Sequence, residues 1–394
     1  MADLVPFAAL RPIASSAARV AAVPYDVVTT DEARALASIE PLSFLHVSRA
    51  EVDLPSGTAP YSDEVYAKAV TNLAALKRDA PLHQESPALY VYRLEIAGHS
   101  QTGIAGGFSI DEYETNLIRR HEHTRKDKED DRTRHIVTLR AQTGPVFLVH
   151  RRVAGIDEAV AHITITPPLY DFVASDGVRH TVWQAAAGEA DALRTAFGSL
   201  DALYIADGHH RAASAARARR EVGGSDHFLA VAFPADEVRI LPYNRVVLDF
   251  GTHDADSFAQ LLRSQFGATE GPPVPGRRGT VSVYVKDRWY QLALDAATGA
   301  DGRLDVSLLN DLILGPLLGI GDVTRDKRID FVGGARGTDA LEAMVRSGAA
   351  AVAFSMHPVN MGDIMQVSDA GGIMPPKSTW FEPKLRDGLL SLPI

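Results

Sequence analysis

The chain has 394 residues, 46% hydrophobic and 23% charged, with a formal net charge of −10. That length exceeds one ordinary core and predicts two domains, while the acidic balance excludes nucleic-acid binding through the bulk surface, which depends on neutralising phosphates. The lack of cysteine excludes disulfides, thiolate nucleophiles and cysteine-ligated metals; with no apolar run near the ~20 residues of a membrane span and no basic region ahead of an apolar segment in Met1–Leu10, a cytoplasmic enzyme is expected.

No internal repeat or low-complexity tract interrupts the pattern. Val20–Val23 reads as a short strand ending at Pro24-Tyr25-Asp26, after which Thr29 or Thr30 caps a helix beginning near Asp31. A helix over Asp63–Leu76 precedes a strand at Leu89–Ile96, a turn at Gly98-His99-Ser100 and a second strand over Gln101–Ile110. From Asp111 the pattern is helical up to Gly144-Pro145, with Asp111 and Glu114 at capping-box spacing. Strands follow at Pro145–His150 and Leu169–Ala174, and a helix at Ala187–Phe197. Leu203–Ala206 reads as a strand, Asp207-Gly208 as a turn and Ala212–Arg220 as a helix. Further strands are predicted at Phe228–Phe233, Val238–Leu248, Thr280–Val285, Trp289–Leu294 and Ala350–Phe354, with helices at Ser257–Phe266, Leu308–Leu318 and Thr338–Ser347. The mixture implies α/β or α+β layers in two domains. The boundary is expected between 150 and 200, dividing residues 1–185 from residues 186–394.

Chemistry concentrates in Asp207-Gly208-His209-His210-Arg211. A strand–turn–helix junction aims peptide N–H groups and the positive end of a helix at one point, and so makes an anion site. Gly208 lets the chain bend, and the histidines and Arg211 add donors suited to phosphate. The bland alternative makes Asp207 a helix cap and Arg211 the partner of a nearby acid.

A second cluster runs from Arg119 to His135, with seven Lys or Arg, five Asp or Glu and three His in 17 positions. Such a run is either a solvated helix with i,i+4 pairs or a segment that closes over substrate, offering Arg120, His121, Glu122, Thr124, Arg125 and Lys128. His121 and His123, two apart, make a poor zinc motif. Tyr25 and Asp26 sit at a strand end, where α/β proteins tend to bind ligands. Lys377-Ser378-Thr379 resembles the end of a P-loop without its glycines, and Phe331–Gly337 is a glycine-rich turn best explained by loop geometry.

With these residues in view, the chain resembles the bacterial and archaeal family catalogued as domain of unknown function 1015. The carrying motifs are Val23–Val28, Ser43–Val47 with His46, His121–Lys128, Leu203–Arg211, Phe331–Gly334 and Met374–Leu385. The Asp-Gly-His-His-Arg box also resembles that of the ParB and sulfiredoxin superfamily, which includes archaeal kinases that phosphorylate free serine using ADP. Members of the present family look like pyrophosphate-dependent serine kinases as well. The resemblance implies a ParB/sulfiredoxin-like element around residues 200–235, with Asp207–Arg211 at the phosphate. The kinases' catalytic glutamate has no aligned counterpart here, and Glu122 is chosen for it on chemical grounds.

Phosphoryl transfer needs cations and helix N-terminal amides at the phosphate, acids for a metal and a carboxylate near the acceptor hydroxyl. The expected activity is therefore transfer from pyrophosphate or a nucleotide to a small hydroxyl acceptor, free L-serine first, with magnesium. Asp207, His209, His210 and Glu122 are the expected catalytic residues. Gly208, Arg211, Tyr25, Asp26, His46, Arg120, His121, Thr124, Arg125, Lys128, Lys377, Ser378 and Thr379 are expected to bind phosphate or substrate. Glu122, Asp26 and Asp207, in that order, are the candidate bases. The rival readings are a phosphate-ester or nucleotide hydrolase and a non-catalytic nucleotide-binding regulator. Neither a membrane nor a nucleic acid is expected as a partner, and the sequence leaves the oligomeric state, metal ligands, donor and acceptor open.

Overall fold

A computed structural model describes residues 2–294 and 303–394. The fold is mixed α/β in two compact units, the first holding the chain up to Val238 together with Pro383–Ile394, the second Arg239–Glu382.

The first unit is built on a nine-stranded sheet. Its strands are β1 (Leu4–Val5), β2 (Tyr90–Ile96), β3 (His99–Ser109), β4 (Ile118–Arg119), β5 (Val146–His150), β6 (Tyr170–Val173), β7 (Arg179–Gln184), β8 (Leu203–Asp207) and β9 (His227–Pro234). They lie in the order β4-β8-β5-β9-β3-β2-β7-β6, and β1 pairs with the far end of β3. The β2–β3 hairpin turns through Ala97 and Gly98, both at positive φ, the geometry whose twist suits adjacent antiparallel strands.

Around this sheet run α1 (Thr30–Ile39), α2 (Leu45–Ser48), α3 (Asp63–Asp79), α4 (Ile110–Glu114), α5 (Lys126–Leu139), α6 (Ala154–Thr164), α7 (Ala187–Phe197) and α8 (His209–Val222). Thr29 caps α1 in a reciprocal box with Glu32. α3 buries Val65, Tyr66, Ala69, Leu73 and Leu76, a stripe at helical spacing. Alanines 212, 213, 215, 216 and 218 of α8 pack into the same core as Phe108, Phe197 and Phe228, because small side chains let a helix lie close to a sheet.

The second unit carries a six-stranded sheet. β10 (Arg239–Leu241) pairs with the later strand Trp380–Glu382, whereas β11 (Tyr243–Val247) joins that sheet.

Several expectations change. The single strand over Val238–Leu248 is two strands in different sheets, since Pro242 cannot continue the ladder. The helical stretch from Asp111 splits into α4, β4, an irregular stretch over 120–125 and α5. Val20 ends a helical turn, Ala17–Val20, rather than starting a strand, and Ala22 makes an isolated bridge to Asp387. The expected division at 185/186 is not where the units part. β7, β8 and β9 continue the sheet begun by β2 and β3, so cutting there would strand buried ladder groups. The expected strand–helix–strand element around 200–235 is β8–α8–β9, with β5 between its two strands.

Candidate functional site

β8 buries Leu203 and Ile205 completely. Its register against β5 slips between Ile205 and Asp207, a bulge that re-aims the strand end where Asp207 sits. Gly208 follows at φ +96°, and a Cβ there would lie 3.0 Å from Arg211 Nε and 3.3 Å from Val146 Cα, so any other residue would be both strained and crowded. α8 then starts at His209 without a side-chain cap, leaving its first N–H groups to be satisfied otherwise.

The segment from Arg119 is brought to this point by β4, which runs parallel to β8 with Leu203 opposite Ile118. Beyond β4 the His121 N–H donates to His209 Nε2 at 3.4 Å, and the two rings meet edge to face at 4.5 Å. The Arg125 N–H donates to His210 Nε2 at 2.9 Å, which puts the neutral ring's proton on Nδ1. α5 continues along α8, where Ser214 Oγ donates to the Glu129 carbonyl at 3.1 Å and Arg217 pairs with Asp130. The structure thus places both charged clusters together.

Asp207 accepts from Lys384 Nζ at 2.9 Å and lies 3.6 Å from Arg211. Burial alone would raise its carboxyl, but the two cations outweigh that and hold it below the usual carboxylate range. Burial keeps His209 neutral and pushes His121 down to about 4, partly offset by the Ile205 carbonyl and Asp207. Both ring nitrogens of His121 are buried without a hydrogen-bond partner, a cost of about 1–3 kcal/mol each unless something fills the gap. Oxygen or nitrogen donors of His121, Glu122 and His209 all lie within 4.8 Å of one another.

Arg211 is buried beneath the turn instead of reaching outward as a phosphate grip. It donates to the Pro145 carbonyl and lines a cavity of about 30 Å³ with Tyr25, Arg132, His135, Gly144 and Asp387. Tyr25 lies under Arg132, whose guanidinium is 4.1 Å from the ring centroid, and burial, then Asp26, pushes the phenol up. Asp26 is exposed beside this cavity, and its charge raises both Arg211 and Asp387.

Other expected residues are engaged locally. His46 pairs with Asp53 at 2.8 Å and contacts the Ala37 carbonyl. Thr124 donates to Glu129, Arg125 pairs with Asp127, Lys128 bonds the Tyr61 hydroxyl and Arg120 lies over Tyr113. Lys377, Ser378 and Thr379 belong to the second unit, where Lys377 lies over Tyr243 and Ser378 donates to the Pro375 carbonyl. The glycines of the Phe331–Gly337 turn answer to packing, since a Cβ at Gly334 would meet the Pro242 carbonyl at 2.5 Å.

Sequence reasoning missed Lys384, Arg132 and Asp387. Lys384 lies inside the Met374–Leu385 motif, but its partner is 177 positions away, and nothing near Asp387 signals a buried acid.

Among solved structures, SbnI with a C-terminal truncation from Staphylococcus aureus is similar at TM-score 0.42 and 11% identity, over 73% of this chain and 87% of that one. A free serine kinase in complex with AMP is similar at TM-score 0.38 and 11% identity, over 74% and 91%. A conserved hypothetical protein from Pyrococcus furiosus follows at TM-score 0.35 and 13% identity, over 73% and 94%. At such scores the likeness carries no argument about activity. No curated protein matches the chain. Among the described residues no helix is long and apolar enough to cross a membrane. The family described as protein of unknown function DUF1015 matches residues 4–307, and the chain belongs to it.

Proposed function

We propose that the protein is a phosphotransferase that moves a phosphoryl group from pyrophosphate or a nucleotide to a small hydroxyl acceptor, with free L-serine first among the acceptors. One arrangement carries the reading: the uncapped start of α8, with His209 and His210, faced by the 120–125 stretch. A donor phosphate at that helix start meets peptide N–H groups and the imidazole of His210, with the exposed Arg120 and Arg125 at the rim. Transfer of this kind rests on positioning and charge neutralisation more than on covalent chemistry by the protein.

The acceptor hydroxyl must lose a proton to a carboxylate. Asp207 is a weak base, because Lys384 and Arg211 hold it ionised. Glu122 and Asp26 remain the two carboxylates for that role. Magnesium enters this reading on the donor's phosphate oxygens, where it would neutralise charge. The His121–Glu122–His209 set, with two nitrogens and one carboxylate, does not fit an ion that takes oxygen ligands.

Calorimetric titration with pyrophosphate, ADP and ATP tests the site. His210→Ala should weaken binding of the accepted donor by about tenfold or more, as expected for a lost charge-assisted bond, with stability lowered only by the about 1 kcal/mol of the lost Arg125 N–H bond. Donor binding unchanged by the substitution contradicts the placement.

A further inference from the structure

We infer that His121, Glu122 and His209 form a site for a first-row transition cation of the zinc class. Their donor atoms lie within 4.8 Å of one another, drawn from two segments far apart in sequence that strand pairing holds together. His121 is held by the stretch after β4, which is tied in register to β8. His209 is the first residue of α8, set by the left-handed turn at Gly208; its Nε2 accepts the His121 N–H at 3.4 Å, a long bond that a cation on that nitrogen would replace. Glu122 stands beside them, half-buried, so a cation held there would keep at least one position open toward the start of α8.

A second observation points to a ligand. His121 is 1% exposed, yet the Ile205 carbonyl that bears on its ring falls outside hydrogen-bond geometry, and neither ring nitrogen has a partner within it. The other deeply buried histidines do not behave this way: His135 meets the Val47 carbonyl at 3.1 Å, His150 the Arg151 carbonyl at 2.8 Å and His180 the Tyr92 hydroxyl at 2.8 Å. A buried imidazole kept only for packing would find such a partner, whereas one that binds a cation needs a bare lone pair. Two imidazoles with one carboxylate suit zinc, cobalt or nickel and suit magnesium poorly. Bonds of about 2.1 Å to a tetrahedral ion bring donors to about 3.4 Å apart, so modest side-chain rotation closes the trio.

The inference stands on this geometry and does not depend on phosphoryl transfer. The full chain, stripped of metal with a chelator, should bind one equivalent of Zn2+ in the calorimeter at about micromolar affinity or tighter, in the presence of excess Mg2+. Co2+ should give visible d–d absorption with the same stoichiometry. His121→Ala and His209→Ala should each weaken binding by about 100-fold, and His123→Ala, at an exposed neighbour, should leave it unchanged. Glu122→Gln, at the rim, tests the third ligand without opening a hole in the core and should weaken binding by about tenfold or more. Absence of stoichiometric binding by the parent protein overturns the inference, whatever the variants do. So does binding that survives both histidine substitutions, and parent-like binding by Glu122→Gln overturns the three-ligand site. A protein that binds Zn2+ in this way but transfers no phosphate keeps the metal site and loses only the phosphotransfer reading.

Discussion

Lys384 Nζ lies 2.9 Å from Asp207 Oδ2, joining the last residues of the chain to the strand end that opens the Asp-Gly-His-His-Arg turn. Asp207 titrates lower in the folded protein than in the unfolded chain. The pair's stabilisation is therefore present above about pH 4 and is lost as pH falls through the folded-state value. Lys384→Met should cost about 2–3 kcal/mol at pH 7, less than a fully buried pair because Asp207 keeps 25% side-chain exposure. Urea denaturation at pH 7 and pH 3 checks this: the gap from the parent should narrow at the lower pH, and an equal gap at both contradicts the ion-pair account.

Gly208→Ala should destabilise the protein by about 1–2 kcal/mol, the price of a side chain in left-handed backbone. The added Cβ also presses on Arg211 Nε and Cζ, and relief of that contact would shift the turn that sets the start of α8, so donor affinity should fall as well. Denaturation midpoints and donor titrations on the same preparation separate the two effects.

Asp387 is 3% exposed, and burial, with Asp26 nearby, pushes its carboxyl up to about 7 against the pull of Arg211 and Arg132. Its folded-state value is raised, so the native state holds the extra proton between about pH 4 and pH 7, and stability from this group declines as pH rises through that window. Asp387→Asn removes the slope. Relative to the parent, the variant should gain on the order of 3 kcal/mol between pH 4 and pH 8, read from urea midpoints across pH. A flat difference contradicts a protonated Asp387.

The two remaining carboxylates separate by kinetics. If a cation occupies Glu122, the acceptor proton goes to Asp26, so Asp26→Asn should lower kcat by about 100-fold or more with donor affinity little changed. Glu122→Gln should instead change the metal requirement. The reverse pattern would return the base to Glu122.

Much of the first unit was legible because local signals sufficed there. Thr29 with Glu32 and the spaced apolar residues of α3 each specify their element within a few positions, and the hairpin is legible through Gly98, although its turn lies at Ala97-Gly98 and the expected turn residues His99 and Ser100 already belong to β3. The strand–turn–helix at Asp207–Arg211 could be read for the same reason. What could not be read depends on distant partners. His121 looked like half of a poor pair with His123, while its structural neighbour is His209, 88 residues on. The direction of Arg211 depends on the Pro145 carbonyl, and the division of the chain depends on residues 383–394 returning to the first unit. The unbroken helical pattern from Asp111 misled because charge spacing in 119–125 suits a helix, while pairing of Ile118–Arg119 with β8 pulls that stretch straight.

Phosphorus NMR of the full chain with Mg2+, incubated with pyrophosphate, ADP or ATP in the presence and absence of L-serine, tests the central claim most directly. The account predicts a phosphoserine signal from at least one donor, growing only when serine is present and lost in His210→Ala. Donor breakdown at the same rate with and without serine would contradict it in favour of a hydrolase, and tight donor binding with no product from any donor would replace the transferase with a nucleotide-binding regulator.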